Sequence, residues 1–258
     1  MLGDAFNYLT TASNWTGEGG MLQLLVEQLL LTVTALVIAV AIGLPIALWL
    51  GHIGKGGFLA INISNVGRAV PTYAVLVLLS VGPIGTDDLG PYGRAGLATL
   101  IALVLFALPP IITNAYVGVR EVDRDMVEAS NGMGMRGGQL FRRVELPLAM
   151  PVIMTGVRLA LVQVWATATI AALVAGPGLG NVIVAGFFNA NYGKGLAGAF
   201  VVAVVAFVLE IAATGAEWLV KPAHLRAREM RRAASLGEDG DDPSGSDDAS
   251  DLGSTVSV

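Results

Sequence analysis

The 258-residue chain has no cysteine, only two histidines and 14% charged residues, well below the roughly one quarter usual in soluble domains. Without cysteine there is no disulfide framework, no thiolate ligand for zinc and no thiol nucleophile. His52 and His224 are too few for most metal sites. What remains is apolar: 54% of the residues are hydrophobic and the mean hydropathy is +0.69. The formal charge of −5 misleads, because Glu238, Asp239, Asp241, Asp242, Asp247, Asp248 and Asp251 crowd into one tail. The rest of the chain carries a formal +2.

The apolar residues fall into five runs. About 20 residues at 1.5 Å each cross a hydrocarbon layer of about 30 Å, so each run is a candidate span and the chain reads as an all-α integral membrane protein. The expected spans are Met21 to Leu50, Phe58 to Val81, Ala95 to Val117, Pro147 to Val174 and Leu196 to Val220. Residues 1–20 form an external segment, 21–220 the membrane domain, and 221–258 a cytoplasmic tail that is acidic and too poor in apolar residues to fold after about 236. No basic residue precedes Lys55, so the first residues lack the basic start of a signal peptide and suit the outer face. With the N-terminus outside, eleven basic residues fall on cytoplasmic segments and only Arg94 and Lys194 outside, as the positive-inside bias requires.

Lipid supplies no hydrophobic force between helices, so close packing has to come from small side chains. Ala35, Ala39, Gly43 and Ala47 recur every four residues in the first span, and Gly156, Ala160, Ala168 and Ala172 repeat the device in the fourth. Both stripes predict helix seams.

The longest cytoplasmic loop, 118–146, is too polar to span and too regular to be a connector. Asp123 can cap a short helix through Ala129, Gly132 and Gly134 break it, and residues 137–144 make a second amphipathic turn or two with Leu140, Phe141 and Val144 on one side. Pro147 suits the opening turn of the next span, where a missing N–H is harmless. The loop therefore predicts a knob of helix, hinge and helix. Within it stand Glu128-Ala129-Ser130, three residues, Gly134, nine residues, then Val144-Glu145-Leu146-Pro147.

This spacing resembles, without a gap, the cytoplasmic coupling motif of ABC importer permeases: Glu-Ala-Ala, three residues, Gly, nine residues, Ile, one residue, Leu-Pro. Ser130 replaces the second Ala and Val144 the Ile. The resemblance implies a type I ABC importer fold of the methionine- and maltose-permease kind, with about five transmembrane helices. It implies that Glu128, Ala129, Ser130, Gly134, Arg136, Val144, Leu146 and Pro147 couple the chain to a separate ATPase. The expected partners are ABC ATPase subunits, a second permease copy or a paralogue, an extracellular or periplasmic solute-binding protein and the lipid bilayer, with no nucleic acid. No Gly-rich Walker pattern ending in Gly-Lys-Ser/Thr occurs, so ATP and Mg are expected on the partner and no catalytic residue or metal on this chain.

The resemblance covers residues 24–218. Val70-Pro71-Thr72-Tyr73, Leu108-Pro109-Pro110, Thr167-Ala168-Thr169-Ile170 and Gly176-Pro177-Gly178-Leu179-Gly180 look like permeases for osmoprotectants: glycine betaine, choline, carnitine and proline betaine. Methionine-type permeases share several of these features. A quaternary ammonium has no proton to donate, so a passage would use aromatic faces. Tyr73, Tyr116, Trp49, Trp165 and Phe106 are near the spans. Asn62, Ser64, Asn65 and Pro71 interrupt the second span and mark it as a broken, path-lining helix, so Asn62, Asn65, Pro71, Tyr73 and Trp165 are the path candidates. Arg68, close to one end, can snorkel to the surface.

Arg158 lies roughly 16 Å along a helix rising from the cytoplasm and Glu210 roughly 21 Å down a helix descending from outside. Charges at such depth are costly, and the two are expected to pair or to face the bundle interior. An intramembrane enzyme would instead need clustered Asp, His, Ser or Cys in the spans, and a self-sufficient carrier would leave the coupling loop unexplained.

Overall fold

A computed structural model describes residues 1–58, 62, 67, 69–85, 90–92 and 95–220. Within them the chain is helical, and no strand occurs among the described residues. The elements are α1 (Leu2–Thr10), α2 (Met21–His52), α3 (Thr72–Val81), α4 (Gly96–Arg120), α5 (Arg124–Gly132), α6 (Gly137–Leu140), α7 (Leu146–Ala171), α8 (Gly180–Phe188) and α9 (Tyr192–Val220). Ser64, Asn65 and Arg68 of the second span and the tail 221–258 lie outside the described residues.

Among the described residues, four helices are long and apolar enough to cross a membrane: Met21–His52, Gly96–Arg120, Gly137–Val174 and Tyr192–Leu219. The second expected span contributes α3, which is apolar but only 10 residues long. Pro71 stands just before α3 in extended backbone (φ −63°, ψ 114°), so the helical path is interrupted at the proline.

α2, α4 and α7 pack into one core. Leu31, Ala35 and Ala39 meet Leu103, Ala107 and Ile111, with Ala160, Val164 and Ala168 closing the third side. Nearer the cytoplasm, Ala47 packs with Ile112, Ala115, Tyr116, Ala149 and Ile153. The alanine stripes lie at the centre of both clusters because an alanine lets the neighbouring backbone approach. The stripe of α2 runs one turn further than its alanines: a Cβ on Gly51 would sit 2.9 Å from the Val119 Cβ. Outward, Val33, Val37, Phe200, Phe207 and Ile211 are exposed, as a surface facing lipid requires.

Two expectations need correction. Residues 175–195 are more than a loop, since α8 folds there and packs on α9, which begins at Tyr192 rather than Leu196. A run of nine residues is too short to be read as a span, and its flanking glycines read as turn signals. In space a glycine of α9 permits the contact, for a Cβ on Gly198 would meet Val182 and Ile183 side-chain atoms at 3.0 to 3.1 Å. The external segment is likewise folded: Trp15 Nε1 donates to Leu9 O (2.7 Å), Asn14 Nδ2 to Tyr8 O (2.9 Å), and α1 rests against the start of α9.

The second correction concerns the fourth span, whose helix does not begin at Pro147. It runs unbroken from Gly137 through a π-helical turn at Phe141–Glu145 into α7. In a regular helix the Pro147 ring would press on the carbonyl four residues earlier, and the widened turn relieves that clash.

The seam between α7 and α4 is close as well: a Cβ on Gly156 would stand 2.6 Å from Asn114 Cβ and 2.8 Å from Pro110 O. Replacing Gly156 by leucine is expected to lower stability by about 1–3 kcal/mol, the usual cost of overpacking, read as a fall in the midpoint of thermal unfolding in detergent.

Candidate functional site

Residues 118–146, the expected coupling loop, fold as a hook of short helices. Asp123 caps α5, its Oδ1 accepting from Asp125 N at 2.9 Å. At the far end the backbone closes a Schellman motif: Gly134 N–H donates to Asn131 O (2.9 Å) and Met135 N–H to Ser130 O (3.2 Å). The residue between must be left-handed, and Gly134 has φ +80°. A Cβ there would meet nothing within 4 Å, so in this chain the glycine is required by the bend and not by crowding.

Ser130 is buried and its Oγ donates to Met126 O at 2.7 Å, while Glu128 and Ala129 stand exposed on the outer face of α5. Arg136 opens α6; its backbone N–H donates to Gln139 Oε1 (3.0 Å) and its side chain is exposed. Val144 and Leu146 are half-buried in and after the π turn, and Leu146 packs against the cytoplasmic core. Pro147 follows within α7, half-buried. The structure thus separates the motif residues into an exposed set, Glu128, Ala129, Gly134 and Arg136, and a set that roots the hook in the bundle.

One root is invisible in the motif's spelling. Glu145, 7% exposed, receives a hydrogen bond of 2.6 Å between its Oε2 and His52 Nδ1, the last residue of α2. The His52 ring also meets Phe141 edge-on, centroids 5.3 Å apart at 62°. A cavity of about 290 Å³ opens beside the pair, lined also by Arg120, Arg124 and Glu128. The available signal was an acid standing directly before Leu-Pro at a membrane boundary, with a histidine at the end of another span.

Within the bundle, Arg158 Nε donates to Glu210 Oε1 at 2.6 Å, and its Nη1 lies 3.5 Å from Glu217 Oε2. Arg158 thus holds two acids placed two helical turns apart on α9. Glu217 was not singled out from the sequence, although its spacing of seven from Glu210 puts it on the same helix face.

The path candidates do not gather into one place. Asn62 is half-buried and spends its amide on Phe58 O (2.7 Å), and Asn65 lies outside the described residues. Pro71 is exposed at the break before α3, and Tyr73, one residue into α3, is 49% exposed. Trp165 belongs elsewhere: it is 2% exposed, packed with Met21, Leu179, Val182 and Val201, and its Nε1 donates to Val202 O at 3.2 Å. It is a packing residue because its ring fills the junction of α2, α7, α8 and α9. Phe106 and Tyr116 are core residues as well, whereas Trp49 is exposed.

A residue not anticipated organises the opposite end. Gln28 is fully buried in α2; its Oε1 accepts from Leu179 N–H (2.9 Å) and its Nε2 donates to Thr169 Oγ1 (2.9 Å). It pins the Gly176–Gly180 turn to the bundle. Gly178 (φ +114°) is doubly constrained, since a Cβ would also fall 2.9 Å from Gln28 Oε1.

Apolar spanning helices with a rigid hook at one end are the membrane component of a transporter. The chain belongs to the family described as binding-protein-dependent transport system inner membrane component, which matches residues 39–217. It is therefore a multi-pass inner membrane subunit. It is similar to the carnitine transport permease protein OpuCB of Listeria monocytogenes, at 34% identity over 205 residues, 79% of this chain and 89% of that one. It is similar also to the choline transport system permease protein OpuBB of Bacillus subtilis, at 31% over 222 residues, 83% and 95% of the two chains. In fold it matches a chain of the inward-facing MetNI methionine ABC transporter, with a TM-score of 0.64 at 21% identity, covering 78% of this chain and 96% of that one.

Replacing Gln28 by leucine removes partners from Leu179 N–H and Thr169 Oγ1 while keeping the bulk. The expected outcome is a loss of about 1–3 kcal/mol and faster amide hydrogen exchange at Leu179.

Proposed function

We propose that the chain is the permease subunit of an ATP-driven importer for quaternary-amine osmoprotectants such as glycine betaine, choline, carnitine and proline betaine. The observation that carries this reading is the hook: an exposed, capped helix with a left-handed glycine at its end, rooted in the start of a membrane helix. Its exposed face, Glu128, Ala129, Gly134 and Arg136, docks into a groove on a separate ATPase, which binds ATP and Mg. Nucleotide-driven closure of that partner moves the hook as a rigid body and works an alternating pathway. An extracellular or periplasmic binding protein delivers the solute, and a second permease, identical or paralogous, completes the passage.

The substrate class rests on the names of the sequence relatives. The likeness to the methionine transporter supports the fold and carries no weight for substrate. Asn62, Asn65, Pro71 and Tyr73 belong to the segment that borders the passage, where a helix broken at Pro71 frees backbone carbonyls toward a cation. Arg158, with Glu210 and Glu217, locks α7 to α9 in the cytoplasmic half of the bundle, where any charge left unpaired would be costly.

The test is radiolabelled uptake by vesicles holding the complete complex and its binding protein, comparing betaine, choline, carnitine and methionine. ATP-dependent uptake of the quaternary amines is expected, and uptake of methionine alone would replace the substrate class while keeping the permease role. Gly134→Trp adds about 1 kcal/mol of backbone strain and a bulky ring on the docking face. It is expected to abolish ATP-driven uptake while membrane insertion, read by fractionation, is retained.

A further inference from the structure

The hook touches the bundle in two ways. One is covalent, the unbroken helix from Gly137 into α7. The other is the contact between Glu145 and His52, which belongs to a different span. We propose that the Glu145–His52 contact is the joint through which displacement of the hook is passed to the first span, making His52 a positioning residue for transport. This inference rests on the docking role of the hook and adds a second output to it.

The geometry suits force transmission. Glu145 is buried, its carboxylate lies 2.6 Å from His52 Nδ1, and the imidazole is enclosed by hook residues on two sides. Phe141 meets the ring edge-on, and a Cβ on Gly137 would stand 3.6 Å from Nε2. The imidazole donates from Nδ1 whether neutral in the tautomer the carboxylate selects or doubly protonated, so the contact survives a change of charge on the ring. The neighbouring charged groups, Arg120 on α4 and Arg124 and Glu128 on α5, line the cavity beside the pair.

Beyond the joint, α2 is one continuous helix of 32 residues, and its turn at Pro45, which lacks one backbone hydrogen bond, is held by the packing of Leu44, Ala47 and Leu48 against α4 and α7. Gln28 lies 24 residues before His52, about 36 Å away at 1.5 Å per residue. There it holds Leu179 N–H and Thr169 Oγ1, and with them the turn at the opposite end of the bundle. α2 is thus a rod with a polar clamp at each end, seated in the small-residue seam between α4 and α7. A displacement imposed at Glu145 reaches that turn along α2 without passing through α7.

The experiment uses the complete complex in vesicles and measures solute imported per ATP hydrolysed, together with retention of the ATPase on the permease. His52→Ala is expected to lower solute moved per ATP by about fivefold or more, the lower range of measured coupling between sites, with the ATPase still bound and hydrolysing. His52→Gln, whose amide can still donate to the carboxylate, is expected to recover most of the ratio. A second arm exploits the absence of native cysteine in this chain. His52→Cys with Glu145→Cys should be uncoupled when free and recoupled when the two thiols are bridged by a short bifunctional reagent. An unchanged ratio in His52→Ala, a parallel loss of ATPase retention and uptake with no rescue by His52→Gln, or no gain on bridging would each overturn the joint. A wild-type complex without ATP-driven uptake would instead reject the permease reading itself.

Discussion

Close approach of helix backbones is the condition on which the rest of the structure depends. In hydrocarbon, no water is released when two apolar helices meet, so contact must come from fit and from the few polar groups that cross the seam. The line from Ala35 through Ala39, Gly43 and Ala47 to Gly51 lets α2 sink against α4, and Gly156 lets α4 sink against α7. Because these seams are narrow, the cytoplasmic ends of the three helices converge on one small area. His52, Val119 and Glu145 meet there, and the hook is rooted among them.

The polar residues of the bundle then divide the labour. Gln28 closes the end near Leu179, His52 and Glu145 hold the end that carries the hook, and Arg158 ties α7 to α9 between them. Each is joined to a partner far away in sequence, which in an apolar medium fixes register more firmly than packing alone, since an unpaired polar group has no water to turn to.

Much of this was written in the sequence where a local rule sufficed. The four-residue spacing of small side chains marked the seams, the long apolar runs marked the first and third spans to within a turn, and Asp123 and Gly134 marked the two ends of α5. What escaped was whatever depended on a distant partner. Gln28 is one polar residue in an apolar run, with nothing nearby to show that Leu179 N–H awaits it. His52 looked like a leftover once metal chemistry had been set aside. α8 was hidden because a nine-residue run containing Gly180, Asn181 and Gly186 spells a loop as well as a helix, and only the close approach of α9 decides between them. The continuous helix through Glu145 was obscured by Pro147, which in isolation signals a start. Asn65 and the acidic tail fall beyond the described residues, and the burial of Trp165 in a junction depends on residues distant in the chain.

The π turn at Phe141–Glu145 has a mechanical consequence of its own. A wide turn followed by two prolines, Pro147 and Pro151, gives the helix a stretch with fewer backbone hydrogen bonds between successive coils. Such a stretch resists compression through its packed side chains but yields more readily to torsion about its own axis. Under the docking proposed above, the hook would swivel on the end of the span as on a universal coupling while still passing thrust along the helix.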